Sequence, residues 1–100
     1  MSQTHTTTID KADIILNLPS KYKVVLLNDD TTPMEFVISL LCEVFGHNYN
    51  TAENITMEIH NKGKGIAGIY FYEMAEQKRH EATAVSRLNG FPLSLRIEEV

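Results

Sequence analysis

Apolar residues recur along this chain with two spacings, and the switches between them mark out its elements. Tyr22 to Asn28 is a β-branched and aliphatic run, too short for a helix and closed by turn residues, which predicts a strand. Met34, Val37, Leu40, Leu41, Val44 and Phe45 then recur at helical spacing, which predicts a helix over 33–45 with Gly46 as its left-handed stop. The start of that helix is heavily specified. Thr32 is placed as its N-cap, Pro33 as its first helical residue and Glu35 as the returning side chain of a T-x-x-E capping box. After the polar linker 47–50, Thr51 is read as the cap of a second helix. Its face carries Ala52, Ile55, Thr56 and Ile59, and Asn61-Lys62-Gly63 ends it. Gly65 to Phe71 reads as a strand whose glycines permit a bend or a close approach. Glu73 to Leu88 is a charged helix with a thin apolar stripe of Met74, Ala75, Ala82 and Val85. Last, Leu93, Leu95 and Ile97 alternate with Ser94, Arg96 and Glu98, as in a half-exposed strand.

The order β-α-α-β-α-β predicts a single small α+β domain. A three-stranded antiparallel sheet would pack against three helices. Residues 1–20 differ in character. They are rich in Thr, hold one short apolar patch at Asp13-Ile14-Ile15-Leu16 and end in Pro19-Ser20. That composition predicts a flexible N-terminal extension, with the core domain over 21–100.

Composition narrows the function classes. The net charge of −4 and the lack of any Lys/Arg cluster longer than Lys78-Arg79 argue against nucleic acid or an anionic membrane as partner. Cys42 is the sole cysteine, so no internal disulfide can form, and its helical neighbours make it a core or boundary residue. No apolar run reaches 18 residues and no secretory signal pattern opens the chain, which together predict a cytoplasmic protein.

Candidate chemistry gathers at one corner. Asn28, Asp29 and Asp30 lie between a strand end and a helix start, where one capping side chain would suffice. Carboxylates attract cations, an amide both donates and accepts, and Met34 and Val37 add apolar surface from the same helix. A ligand with an ammonium group beside an apolar side chain suits such a corner. His60 lies at the edge of the second helix's apolar stripe, where a partly buried structural histidine is the commoner reading. A histidine beside the acidic corner would be a better candidate, and the sequence carries no sign that the two are adjacent. An enzyme reading pairs Asp29 or Asp30 with His60 as acid and base, but it lacks a nucleophile, a phosphate loop or a glycine-rich fingerprint. A metal reading would recruit His47, His60 or His80 with the aspartates, and none has ligand spacing. No metal or cofactor is expected. At this level a ligand-binding corner and an ordinary capped helix fit equally well.

Longer motifs carry a resemblance. Tyr22-Lys23-Val24-Val25-Leu26-Leu27-Asn28-Asp29-Asp30, then Thr32-Pro33-Met34-Glu35-Phe36-Val37, Ile59-His60-x-x-Gly63, Gly68, Glu73-x-Ala75-Glu76-x-Lys78 and Pro92-Leu93 resemble the ClpS family over roughly residues 21–99. The resemblance implies a non-enzymatic adaptor. Such an adaptor binds proteins with destabilising N-terminal Leu, Phe, Tyr or Trp (N-degrons) and delivers them to a ClpA-type AAA+ unfoldase and its ClpP peptidase. It implies that Asn28, Asp29 and His60 hold the substrate's α-ammonium group. Asp30, Thr32, Met34, Val37, Thr56, Ile59 and Leu93 would wall the side-chain pocket, and Glu73 and Lys78 would face the unfoldase's N-terminal domain. The extension would engage the unfoldase during hand-over, and the adaptor would be a monomer. One position departs from the pattern: the family usually has an apolar residue, often Met, where this chain has Thr56, and Met57 is one position off. The departure predicts a more open and more polar pocket rim. The alternatives are a peptide-binding module of the same fold with a different ligand or unfoldase, and a small hydrolase using Asp29 and His60.

Overall fold

A computed structural model describes residues 18–100. Residues 1–17 of the expected extension, with the apolar patch at 13–16, lie outside the described residues. The elements follow the expected order: β1 (Lys21–Leu27), α1 (Met34–Glu43), α2 (Tyr49–Lys62), β2 (Lys64–Phe71), α3 (Tyr72–Leu88) and β3 (Ser94–Glu99). Strand β1 is central, with β2 and β3 antiparallel on either side.

The pleat places Val24 and Leu26 of β1, Ala67 of β2 and Leu95 of β3 in the core. They meet Val37, Leu40 and Leu41 of α1, Ala52 and Ile59 of α2, and Ala75 and Ala82 of α3. Each fully buried Leu or Val contributes about 1.5–3 kcal/mol relative to exposure. The opposite face carries the Lys23–Glu98 and Arg96–Glu98 ion pairs.

Several element ends differ from the sequence reading. Helix α1 starts at Met34 with Pro33 as N-cap, and the expected Thr32–Glu35 capping box does not form. Asp29 displaces it: its carboxylate takes the Thr31 and Thr32 amides and the Thr32 hydroxyl. Helix α2 begins at Tyr49, two residues before the expected cap. Asn48 accepts from the Thr51 amide at 2.8 Å, a better-placed side chain than Thr51 itself. On α3 the buried positions are Ala75, Ala82 and Ser86, whereas Met74 is exposed. Only small residues fit where this helix lies close to the sheet.

Two features of β2 fix how α2 and the α1–α2 loop meet the sheet. A Cβ on Gly65 would stand 2.7 Å from Ile59 Cγ1, so the missing side chain lets strand and helix approach. Between Val24 and Val25 the register slips, pairing Val24 with Gly68 and Val25 with Ile66. Ala67 is therefore the extra residue of a β-bulge. His47 Nε2 donates to the Ala67 carbonyl at 2.5 Å, tying the loop after α1 to the bulge.

Candidate functional site

The end of β1 and the start of α1 enclose an open cleft of about 450 Å³, within the range of ligand sites. Its lining residues are Asn28, Asp29, Asp30, Thr31, Thr32, Pro33, Met34 and His60. His60 arrives from the last turn of α2, over thirty positions along the chain. The link is a backbone bond: the Asn28 amide donates to the Gly63 carbonyl at 2.9 Å, holding the end of α2 against the end of β1. Gly63 can occupy that join because its φ of 89° is left-handed. The sequence singles out His60 but carries no local signal for its adjacency to the acidic corner.

Asp29 organises the loop. Oδ1 accepts the Thr31 and Thr32 amides at 2.8 and 2.7 Å, and Oδ2 accepts the Thr32 hydroxyl at 2.8 Å. These bonds fill three of the roughly four acceptor positions of a carboxylate and leave room for one more donor. Burial pushes the Asp29 carboxyl up. The hydrogen bonds from Thr32 and Thr31, together with the Arg87 guanidinium, outweigh that and hold it below the ordinary aspartate range. The group is thus anionic throughout the neutral range.

The N-terminus of α1 also opens here and carries about half a positive charge. Asp29, Asp30 and Glu35, all close to that helix start in sequence, outweigh it. The cleft is therefore a cation-favouring site with an amide and an imidazole on its wall. Met34, 38% exposed, supplies its apolar side.

Of the ten residues expected at the ligand site, the structure brings Asn28, Asp29, Asp30, Thr32, Met34 and His60 to this cleft. Val37, Thr56, Ile59 and Leu93 are instead buried, at 5%, 3%, 3% and 1% exposure. Three of them neighbour its residues along the helices. Val37 is one turn along α1 from Met34, Ile59 precedes His60, and Thr56 lies one turn before His60 on α2. The expectation of a polar rim at Thr56 needs correction. Its hydroxyl donates to the Ala52 carbonyl at 2.8 Å inside the helix, so a buried Thr back-bonded to its own backbone presents no polar group to solvent. Met57 is exposed, as its one-position offset requires.

The two residues expected to face a partner occupy different settings. Glu73 is exposed in the first turn of α3. Lys78 is half-buried, and its Nζ donates to the Val44 carbonyl at 2.8 Å beyond the end of α1. Among the described residues no group of three His, Cys, Asp or Glu side chains could hold a metal, and no helix is long and apolar enough to cross a membrane.

Fold and cleft together define a small α+β binding domain built around a β1–α1 corner. The family model for "ATP-dependent Clp protease adaptor protein ClpS" matches residues 17–96, and the chain belongs to this family. Adaptors of this family are not catalysts, and neither is this protein. The ClpS adapter of Helicobacter hepaticus is 43% identical over 96 residues, covering 96% of this chain and 97% of its own. That of Campylobacter jejuni is 44% identical over 84 residues, covering 84% and 88%. Among solved structures, Agrobacterium tumefaciens ClpS2 bound to L-phenylalaninamide superposes with a TM-score of 0.81 at 38% identity, covering 83% of this chain and all of the other.

Proposed function

We propose that this Clp protease adaptor reads the N-terminal residue of its substrates. It binds proteins that begin with Leu, Phe, Tyr or Trp and delivers them to a ClpA-type AAA+ unfoldase for degradation by its ClpP peptidase. The observation that carries this reading is the meeting of Asn28, Asp29 and His60 in one anionic cleft beside Met34. L-Phenylalaninamide, the ligand of the Agrobacterium relative, presents an α-amino group and an aromatic side chain, the two features such a cleft suits.

In this reading Asn28, Asp29 and His60 receive the α-ammonium group, with the last acceptor position of Asp29 as its anionic partner. Asp30, Thr32, Met34, Val37, Thr56, Ile59 and Leu93 form the walls around the first side chain. An α-amino group has a pKa near 7.7–8.0, so it is mostly charged at neutral pH. Each hydrogen bond to it is worth about 1.5–3 kcal/mol, and burying a Leu or Phe side chain adds a similar amount. Two or three such bonds plus the side chain reach about −8 kcal/mol, a micromolar affinity, before association costs. An internal Leu lacks the ammonium and an N-terminal Gly lacks the side chain, so both halves are required. Glu73 and Lys78 contact the unfoldase's N-terminal domain, the segment 1–20 engages the unfoldase at hand-over, and the adaptor works as a cytoplasmic monomer.

The test is a pair of peptides, one beginning with Phe and one identical but N-acetylated. Acetylation removes the charge, so binding of the first and at least a hundredfold loss for the second are expected, about two charged hydrogen bonds. Equal affinities would overturn the N-degron reading and favour a module of the same fold with a different ligand.

A further inference from the structure

Arg87 lies in the last turn of α3, where favourable interaction with the helix dipole alone would account for a basic residue. Its hydrogen bonds go further than that. One guanidinium nitrogen, Nη1, donates to the Phe91 carbonyl at 3.0 Å and to the Leu93 carbonyl at 2.8 Å. These acceptors bracket Pro92, so the side chain holds the segment that turns from α3 into β3. Both ends of the segment are packed against the domain. The Phe91 ring packs on Phe36 with centroids 4.8 Å apart, and Phe36 is in the first turn of α1, two residues after Met34. Leu93, at the other end, is buried in the core. The guanidinium charge also acts on Asp29. One side chain thus links α3, the Phe91–Leu93 segment, the start of α1 and the anionic group of the cleft.

We propose that Arg87 is a positioning residue of the ligand site, fixing Phe91–Leu93 against the first turn of α1 and so setting the wall that receives the substrate's first side chain. The proposal rests on the N-degron reading above. It assigns Arg87 a role in side-chain selection without contact to the ligand. Lysine is a poor substitute, because its freely rotating ammonium on a flexible stem does not hold two N–H donors in one fixed plane, as the guanidinium nitrogen Nη1 does.

The experiment uses the full chain with Arg87→Met and Arg87→Lys, and peptides that begin with Phe, Leu or Val. Binding is measured by titration and folding by thermal melting. For Arg87→Met we expect about a tenfold loss for the Phe peptide, the scale of one charged hydrogen bond. The loss for the Val peptide should be smaller, so that the Phe/Val preference shrinks. Arg87→Lys should fall between wild type and Arg87→Met in both affinity and preference. A merely structural role would lower the melting temperature, or lower all affinities equally, and leave the preference intact; either result overturns the proposal. If Arg87→Met does not fold, Arg87→Lys decides, and an unchanged Phe/Val ratio there is equally fatal. Wild-type protein that fails to bind the Phe peptide would instead refute the N-degron reading itself, so the two failures are distinguishable.

Discussion

Asp29 carries two duties on one carboxylate, and they can be separated. Its hydrogen bonds to Thr31 and Thr32 shape the loop, while its charge is what an ammonium ligand would seek. Asn in its place keeps an oxygen for the amides and loses the charge. Asp29→Asn should therefore weaken binding of a Phe-initiated peptide by roughly ten- to a hundredfold, the value of one charged hydrogen bond, while the fold persists. A second consequence concerns acid. The carboxyl is held below its ordinary range in the folded chain. Its contribution to stability is thus fully present above the unfolded-state pKa and is lost as pH falls through the folded value. Asp29→Asn should remove that part of the acid dependence. Urea midpoints taken at neutral pH and through the carboxylate range would show a shallower fall for the variant, and parallel curves would contradict the assignment. The sequence flagged Asp29 because it stands in an over-supplied polar corner. It could not show that most of the acceptor positions are already engaged, since the Thr32 amide can be taken either by Asp29 before it or by the Glu35 of a capping box after it.

At the scale of elements, the periodic stripes were legible because helix and strand spacing follow directly from burial. Leu40, Leu41 and Val37 face the core of α1 as their spacing requires. The ends were less legible, because caps are decided by which nearby side chain reaches a free amide first. Asn48 caps α2 in place of Thr51, and Asp29 takes the Thr32 amide that the Glu35 of a capping box would accept. The meeting of His60 with the acidic corner rests on the Asn28–Gly63 bond, a long-range contact without local signature. Lys78 shows a related ambiguity: a position matched to a partner surface is already bonded inside the domain. The carbonyls at a helix C-terminus lack intrahelical partners, and Lys78 satisfies that of Val44, just past α1. Lys78→Met should therefore cost about 1–2 kcal/mol of folding stability. Glu73→Gln, at an exposed position, should stay within about 0.5 kcal/mol of wild type. Both should weaken binding to the unfoldase's N-terminal domain. Denaturant unfolding beside the binding assay separates the effects, and equal stability of the two variants would mean that the Lys78 bond contributes nothing.

For the whole molecule, α3 is the element that spans the distance between the two proposed binding surfaces. Its 17 residues extend about 25 Å, from Glu73 at one end to Arg87 at the other. The helix is pinned along that length. Ala75, Ala82 and Ser86 are buried against the domain, Lys78 ties it to the end of α1, and Arg87 ties it to the Phe91–Leu93 segment. Among the described residues, positive φ angles are confined to Gly46, Gly63 and Gly90, each at a turn. Coupling between distant sites requires an element with two alternative arrangements that both ligands bias. A close-packed helix fixed by small residues and polar ties supplies none. The two surfaces should therefore be energetically independent. Saturating peptide should change the affinity for the unfoldase's N-terminal domain by less than about twofold, a coupling below roughly 0.4 kcal/mol. Calorimetric titrations of that domain with and without a Phe-initiated peptide test this. A tenfold shift would mean that α3 transmits ligand occupancy, and the rigid-helix argument would fail. Independence would suit an adaptor, because the unfoldase could then be docked by loaded and empty copies alike, with delivery decided after docking.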